Sequence, residues 1–246
     1  MIPRSMTQRI LLKFPTKYRL AKSLAVLQKY ISLAENAEQI SIVVSIDADD
    51  AESVGAIAQY EAVHPGHVAV CVGPSEGKIA AINRDIPPLD TFDILLLGSD
   101  DMIPVVKGYD RILREKMAQY FPDTDGVLFF NDGYQKHHLN TLVICGSAYY
   151  ARFGYIYHPE YKSFYCDQEF TNEGFWLKKQ QYFDELLIRH EHPMFQQNVG
   201  IDQLYVKNQE FWKEDKETYA RRFYQKTGRL PPGESRPGPK KRMQFS

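Results

Sequence analysis

Short apolar runs alternate with amphipathic stretches through the first hundred residues of the chain. Leu20, Leu24, Leu27 and Ile31 recur at spacings of three or four, which is the pattern of one helix face. The apolar runs between such stretches predict strands, and the run at 92–97 is continuous enough to be covered on both faces of a sheet. These runs occupy residues 9–14, 40–46, 68–72 and 92–97. Strands separated by helices of this length predict parallel βαβ units with right-handed crossovers.

The second half of the chain has a different pattern. Apolar runs at 126–130 and 142–145 predict two more strands, but polar loops that contain histidine join them. Aromatic residues then crowd positions 149–175, and helical spacing returns over 202–225. We expect this half to extend the same sheet in a mixed, partly antiparallel way. From residue 227 onward, dense glycine, proline and basic residues predict a flexible tail.

The charge of the chain is balanced, with 30 basic and 31 acidic residues among 246. Any contact with nucleic acid would therefore come from a local patch. The N-terminus lacks a signal-peptide core, and no apolar run approaches the roughly 20 residues that span a bilayer, so we expect a soluble chain without a membrane span. Cys71, Cys145 and Cys166 are odd in number and lie in apolar surroundings, which favours reduced thiols and a cytoplasmic location.

Two adjacent acids follow the apolar run at 92–97. The run continues as Gly98-Ser99-Asp100-Asp101, so the acids lie at the carboxyl end of a predicted parallel strand, where open α/β sheets bind ligands. Adjacent carboxylates repel each other, and a divalent cation that carries phosphate oxygens is a common reason to keep such a pair. The alternative is that the acids only cap the next helix.

The other predicted strands of the first half also end in polar residues. The segment from Pro15 to Arg19 follows the first strand, Asp47 and Asp49 follow the second, and Lys78 and Asn83 come after the third. These ends converge in one crevice of a parallel sheet. The crevice would then contain carboxylates that can bind a base or ribose, cations that can bind phosphate, and acids that can bind a metal. The absence of a Walker loop and of a Gly-x-Gly-x-x-Gly motif disfavours ATP hydrolysis and dinucleotide redox chemistry. In the alternative interpretation, the acids cap helices and the cations are solvated.

The order of these motifs carries a resemblance. The first half presents Pro15-Thr16-x-x-Arg19, a strand with Asp47, Lys78 with Asn83, and a strand with Ser99-Asp100-Asp101. The second half presents Gly146 with Arg152, the acidic segment Cys166-Asp167-Gln168-Glu169-Phe170, and His190-Glu191-His192-Pro193. This order resembles that of family 2 glycosyltransferases with the GT-A fold, over about Arg9 to Pro193.

The resemblance implies an α/β fold of the GT-A type. This fold is a Rossmann-like sandwich with a mainly parallel central sheet flanked by helices, here with a mixed C-terminal extension. We expect one domain over 1–226, with a nucleotide-sugar half at about 9–105 and an acceptor half at about 106–226. The basic Pro/Gly-rich tail would then occupy 227–246.

The resemblance also implies how the donor is held. The implied nucleotide-sugar-binding residues are Pro15, Thr16, Arg19, Asp47, Asp49, Lys78, Asn83, Ser99 and Asp100. Asp47 would contact the base, and Mn²⁺ or Mg²⁺ would bridge the diphosphate from Asp100 or Asp101. His190 and His192 alternate along a predicted strand and point to opposite faces, so only one of them is expected to bind the metal. We favour His192, because the proline after it would end the strand at the site.

The catalytic and acceptor residues follow from the same resemblance. Asp167 would be the general base that deprotonates the acceptor hydroxyl, and Glu169 is its nearest rival. The alternative for both is an ordinary acidic helix start. Gly146 and Arg152 would bind the acceptor. Apart from the resemblance, Asp132 is a candidate acceptor residue because its loop, which carries His137 and His138, could touch an acceptor, and the alternative for this loop is a solvated turn. The chain departs from the family pattern at Gly98, where an acid that contacts ribose is common.

The leading hypothesis is an inverting, metal-dependent glycosyltransferase. Its donor would be a nucleotide sugar, with a UDP-sugar favoured, and its acceptor a saccharide or another hydroxyl compound. A variant of this hypothesis is transfer to hydroxylated bases in DNA, as some bacteriophage enzymes perform, because the tail is basic and aromatics could stack on an extruded base. A nucleotidyltransferase is disfavoured because the segment after the first strand contains no glycine. A non-catalytic nucleotide-binding module is the remaining alternative.

Overall fold

The computed structural model describes residues 8–63, 66–191 and 208–233. Its strands are β1 (Ile10–Thr16), β2 (Ile40–Asp47), β3 (Val68–Gly73), β4 (Ile94–Leu97), β5 (Met102–Pro104), β6 (Val127–Phe130), β7 (Ile144–Gly146), β8 (Gln180–Phe183) and β9 (Ile188–His190). Its helices are α1 (Leu20–Ser32), α2 (Ala51–Val63), α3 (Lys78–Asn83), α4 (Tyr109–Tyr120), α5 (Ser147–Ala151), α6 (Cys166–Trp176) and α7 (Trp212–Thr227). Short 3₁₀ turns occupy Ala37–Gln39, Leu89–Thr91 and Lys136–His138.

Seven strands form one central sheet in the order β3-β2-β1-β4-β7-β6-β8. The first four strands are parallel, as the sequence predicts. Strand β7 is antiparallel to both of its neighbours, and β8 is parallel to β6. Strands β6 and β8 therefore run in the same direction as β4, and their carboxyl ends lie at the same edge of the sheet. The predicted mixed extension of the sheet is confirmed.

Both faces of the sheet are covered by apolar side chains. Residues of β1 alternate between the faces, because successive side chains of a strand point in opposite directions. Leu12 and Phe14 join the cluster on the α1 and α4 side, whereas Leu11 joins the cluster that contains residues of α3, α5 and α6. The strands buried on both sides are thus continuous apolar runs, as a parallel sheet requires.

A second, two-stranded sheet lies beside the end of β4. Strand β5 begins one residue after Asp101 and pairs antiparallel with β9, so that Met102 lies opposite His190. This pairing joins segments almost ninety positions apart in the sequence, and it brings the late histidine to the acid pair.

Some predictions fall wholly or partly outside the described residues. The predicted helix over 202–225 corresponds to α7, but its first six positions are not described, and neither are His192 and most of the predicted basic tail. Within the described ranges, no helix combines the length and apolar character needed to cross a membrane.

Candidate active site

The acid pair lies in a tight turn between β4 and β5. The backbone N–H of Met102 donates to the Ser99 carbonyl over 3.2 Å, and the N–H of Glu191 donates to the Asp101 carbonyl over 2.7 Å. The central sheet therefore fixes one side of the turn, and the small sheet fixes the other. The two carboxyl groups are held at the carboxyl edge of the sheet, where their position in the sequence predicts them.

Asp100 is surrounded by positive charge from the start of α1. The Arg19 guanidinium lies 3.2 Å from one carboxylate oxygen, and the Lys22 ammonium lies 3.5 Å from the other. Burial raises the pKa of Asp100 and the neighbouring Asp101 raises it further, whereas Arg19 and Lys22 act in the opposite direction. Two cations are thus within reach of an anionic ligand at this acid. Sequence reasoning missed Lys22, although its position one helical turn from Arg19 could have indicated it.

Asp101 has a different environment from Asp100. The Ser99 hydroxyl donates to one of its oxygens, and Nε2 of His190 lies 3.7 Å from the other. Burial alone would raise the pKa of Asp101, but His190, Ser99 and the charge of Lys78 outweigh burial and hold the pKa well below its ordinary value. Asp101 is therefore the more acidic carboxyl group of the pair.

The donor atoms at this turn suit a divalent cation that brings its own phosphate ligands. Across the described ranges, no group of three or more His, Cys, Asp or Glu side chains is arranged to hold a metal by itself. Mg²⁺ sites, however, often use only one or two carboxylates and complete their coordination with substrate phosphates and water. Asp100 and Asp101 provide the carboxylates, and His190 provides a neighbouring imidazole. The predicted ligand His192 lies outside the described residues, so that prediction remains untested.

His190 is also in contact with Asp132, which follows β6. Nδ1 of His190 lies 4.0 Å from Oδ2 of Asp132, and this oxygen accepts a hydrogen bond from the Thr141 hydroxyl over 2.7 Å. The other oxygen of Asp132 accepts from the backbone N–H groups of the turn at residues 134–136. Asp132 is only 1% exposed. Asp132 therefore lies at the predicted edge of the sheet. His190 lies between it and Asp101.

Asp167 lies in the first turn of α6, close enough to interact with the charges of Lys78 and His190. Burial raises the pKa of this carboxyl group, and Lys78 partly opposes the increase. Lys78 itself is exposed at the start of α3, and its charge also acts on Asp101. The predicted base and the acid pair are thus electrostatically coupled through one lysine.

Glu169 is occupied by the C-terminal helix. The Arg222 guanidinium of α7 donates to both of its oxygens, at 2.7 Å and 2.8 Å, and the Tyr161 hydroxyl donates over 2.6 Å. A bidentate ion pair of this kind fixes the relative position of α6 and α7. This contact favours Asp167 over Glu169 as the base.

Asp47 is the centre of a polar network at the end of β2. It is 3% exposed and accepts from Lys17 over 3.0 Å, from Ser75 over 3.2 Å and from Arg84 over 3.0 Å. Lys17 also contacts the half-exposed Asp49 at 2.9 Å. Asp47, the predicted base contact, and Asp49, a predicted nucleotide-sugar-binding residue, are therefore accompanied by cations that the sequence analysis did not assign.

Three further predicted donor residues hold the local fold. The Asn83 amide donates to the Tyr157 carbonyl over 2.6 Å and accepts from the N–H groups of residues 156 and 157. The Thr16 hydroxyl bonds the Ser23 hydroxyl over 2.6 Å, and Pro15 lies inside β1. These contacts connect β1 to α1, and they connect residues 156 and 157 to the end of α3. A direct contact of these three residues with a nucleotide stays a prediction.

Two predicted acceptor residues are separated from this edge of the sheet. Gly146 pairs with Ile94 at the amino end of β4, because β7 runs antiparallel to it. Arg152 forms a bidentate ion pair with Asp125, whose carboxylate also contacts Lys179 at 2.8 Å. The structure thus places Gly146 and Arg152 at the opposite edge from the acid pair, and the geometry gives their acceptor role no support.

The structure also explains why the chain has Gly98 where the family pattern commonly has an acid. A Cβ atom at this position would lie 2.8 Å from the Leu12 side chain, 3.2 Å from Phe14 and 3.3 Å from the Tyr30 hydroxyl. An acidic side chain has no space there without rearrangement of the core. The ribose contact that the family pattern assigns to this position is not available here.

Comparison with known proteins identifies the fold. No family model matches the sequence, and no curated protein is a significant sequence match. The structure is similar to that of the mannosyltransferase PcManGT from Pyrobaculum calidifontis in complex with GDP-Man and Mn²⁺, with a TM-score of 0.65 and 12% identity over 92% of this chain and 66% of that protein. It is also similar to a fragment of S. aureus TarS in complex with UDP-GlcNAc, with a TM-score of 0.58 and 14% identity over 88% of this chain and 66% of that fragment. The protein has the fold of GT-A-type glycosyltransferases, as its sequence predicts.

Proposed function

We propose that this protein is an inverting, metal-dependent glycosyltransferase that moves a sugar from a nucleotide sugar to an acceptor hydroxyl. The observation that carries the proposal is that His190 lies 3.7 Å from Asp101 beside the carboxyl edge of the sheet, and that its charge also acts on Asp167. The similar structures bind GDP-Man with Mn²⁺ or UDP-GlcNAc, which supports this choice of substrate class.

On this proposal, the turn between β4 and β5 would hold a divalent cation that the donor diphosphate also binds. Asp100, Asp101 and His190 would hold Mn²⁺ or Mg²⁺. When bound, the cation would neutralise the negative charge that develops on the leaving diphosphate. Arg19 and Lys22 supply further positive charge beside Asp100. In the polar network at the end of β2, Asp47 would accept a hydrogen bond from the edge of a base and Lys17 would donate one. The favoured substrate that donates the sugar is a UDP-sugar.

Asp167 would remove the proton of the acceptor hydroxyl. The bond from this oxygen to the anomeric carbon forms as the bond from that carbon to the diphosphate oxygen breaks, and the proton passes to Asp167. A single displacement of this kind inverts the anomeric configuration. A carboxylate whose pKa is raised by burial is a stronger base than an ordinary Asp, which suits it to work near neutral pH.

A turnover assay tests the proposal. The full chain is incubated with UDP- and GDP-sugars and Mn²⁺, with saccharides as acceptors, and release of the nucleoside diphosphate is followed with and without a chelator. We expect release of the nucleoside diphosphate that the chelator abolishes. Asp101→Asn should also abolish this release. Asp90→Asn, at an exposed position remote from the acid pair, should leave it unchanged. Release that is insensitive to the chelator, or an unimpaired Asp101→Asn variant, would contradict the proposal.

A further inference from the structure

Helix α7 lies along α6 and contacts it at successive turns. Besides the ion pair that Glu169 forms with α7, Lys226 forms an ion pair with Glu173. Between these two pairs, the Asn172 amide donates a hydrogen bond to the Tyr219 hydroxyl over 2.8 Å. The two helices therefore pack side by side. The amino end of α7 makes a further contact, with the chain just before α6.

The carboxyl group of Asp215, in the first turn of α7, binds the backbone that leads into α6. One of its oxygens accepts from the N–H of Lys162 over 2.8 Å. The other oxygen accepts from the N–H groups of Ser163 at 2.8 Å and Phe164 at 2.7 Å. Asp215 is fully buried, so these donors cannot exchange it for water without cost. Helix α7 thus fixes the path of the chain immediately before α6 begins.

The residue between this segment and α6 has a backbone conformation that needs support. Tyr165 has a φ of 60°, in the left-handed region that is uncommon for residues other than glycine. Its ring stacks on that of Tyr219, with centroids 5.4 Å apart, and its centroid lies 5.9 Å from that of Trp212. Both partners belong to α7. This helix therefore supplies ring contacts that hold the unfavourable conformation in place.

The segment that α7 holds determines where Asp167 points. Asp167 is the second residue of α6. One of its carboxylate oxygens accepts from the backbone N–H of Gln168 over 2.9 Å, and its carbonyl oxygen accepts from the Thr171 hydroxyl over 2.7 Å. The direction of the carboxyl group thus depends on the backbone at the start of α6. Because Asp215 and Tyr165 set this backbone, their contacts also set the position of Asp167.

We infer that Asp215 is a positioning residue of the enzymatic reaction, which holds the start of α6 so that Asp167 faces the acceptor hydroxyl. This role of Asp215 rests on the proposed function, in which Asp167 is the base. Asp215 is buried against backbone N–H groups, so it acts through Asp167 and not on a substrate. Misplacement of a catalytic group by about 1 Å can cost about 100-fold in rate. Loss of the Asp215 contacts should therefore slow the chemical step. Donor binding should be kept, because Asp47 and the acid pair lie on other elements of the fold.

Kinetics and hydrogen exchange of the full chain with Asp215→Asn test this role. Whichever way the new amide is oriented, its NH₂ group faces at least one backbone N–H donor, so the segment loses part of its support. We expect kcat to fall at least about tenfold. The KM for the UDP- or GDP-sugar that the wild type uses, and the affinity for UDP or GDP with Mn²⁺, should not change. Backbone amides of residues 161–176 should exchange faster, whereas those of β1 and β4 should not. Glu214→Gln, at the exposed neighbouring position in α7, is the matched control and should behave as the wild type does.

A second variant, Tyr165→Gly, tests the same role without a buried polar change. Glycine adopts a positive φ without strain, so the backbone conformation is allowed, but the ring contacts with α7 are lost. We expect the same fall in kcat with unchanged KM for the nucleotide sugar. This variant decides the question if Asp215→Asn does not fold.

The inference and the proposed function fail in different ways. An active wild type whose kcat is kept in both variants would overturn the role of Asp215 and leave the proposed function intact. Unchanged hydrogen exchange over 161–176 would also overturn it. So would an equal loss of kcat and of nucleotide affinity, because Asp215 would then only support the fold. Absence of turnover by the wild type would contradict the proposed function itself, and the positioning role with it.

Discussion

Replacing the buried Lys13 with methionine should change how the stability of the protein depends on pH. Lys13 lies in β1, and its side chain is fully buried. Its ammonium group donates to the Ser45 hydroxyl and lies 4.0 Å from an Asp85 oxygen. Burial lowers the pKa of Lys13 from 10.5 to about 8, and the charge of Asp85 opposes the decrease only in part. The folded protein therefore holds this lysine less readily in its charged form than the unfolded chain does.

The size of the effect follows from this difference in pKa. A change from 10.5 to about 8 corresponds to about 3 kcal/mol, at about 1.4 kcal/mol for each pH unit. Below pH 8 both states are protonated and the full cost of burying the charge is present. Between pH 8 and 10.5 the folded state has lost the proton while the unfolded chain still binds it, so the free energy of unfolding rises with pH. The wild type should therefore gain about 3 kcal/mol relative to Lys13→Met across this window.

Urea denaturation of both proteins, followed by the fluorescence of Trp176 and Trp212, measures this difference at a series of pH values from 7 to above 10. The difference in unfolding free energy cancels other titrating groups, because both proteins share them. Lys29→Met, at an exposed lysine of α1, is the matched control and should show no such window. Parallel pH profiles of wild type and Lys13→Met would refute the reasoning.

The remaining predictions concern the site and the sheet. Gly146→Ala should lose about 2 kcal/mol or more of unfolding free energy in urea, because its Cβ would lie 1.9 Å from the Thr124 carbonyl oxygen; an unchanged transition would contradict that close approach. Asp167→Asn should abolish turnover but retain nucleotide binding. In the wild type, kcat/KM should fall on the acid side at a pH above the ordinary Asp range, because the base acts only when deprotonated and burial raises its pKa; an acid limb at the ordinary Asp pKa would exclude this base. Asp132→Asn should weaken Mn²⁺ affinity about tenfold in calorimetry, because the carboxylate facing Nδ1 of His190 is lost; wild-type affinity would show that His190 needs no such support.

The sequence predicts the first half of the fold well, because buried parallel strands leave a clear signal. The run ending at Leu97 is apolar on both faces, and the acids after it must lie at the carboxyl edge. Lys78 and Asp167 also come near this edge, in agreement with the order of motifs. These positions depend mainly on local pattern and on strand direction, which βαβ units fix.

The second half is less predictable because strand direction and register are not visible in spacing alone. A strand is correctly predicted near 142–145, but β7 runs antiparallel to β4, so its last residue Gly146 and the following Arg152 lie at the opposite edge of the sheet. His190 reaches Asp101 only through the pairing of β9 with β5, a contact between distant segments. Asn83 is polar and close to the crevice in sequence, yet its side chain binds a loop more than seventy residues away. The sequence analysis also left α4 unassigned.

The most direct test of the proposed function is a calorimetric titration of the full chain with UDP, GDP, CDP and TDP, each with Mn²⁺ and with excess chelator. The proposal predicts that at least one nucleoside diphosphate binds with Mn²⁺, that the chelator abolishes this binding, and that Asp101→Asn weakens it while Asp90→Asn does not. Absence of binding to all four nucleotides, or binding that is equal with and without metal, would contradict the proposal and leave Asp100 and Asp101 as structural acids of the turn between β4 and β5.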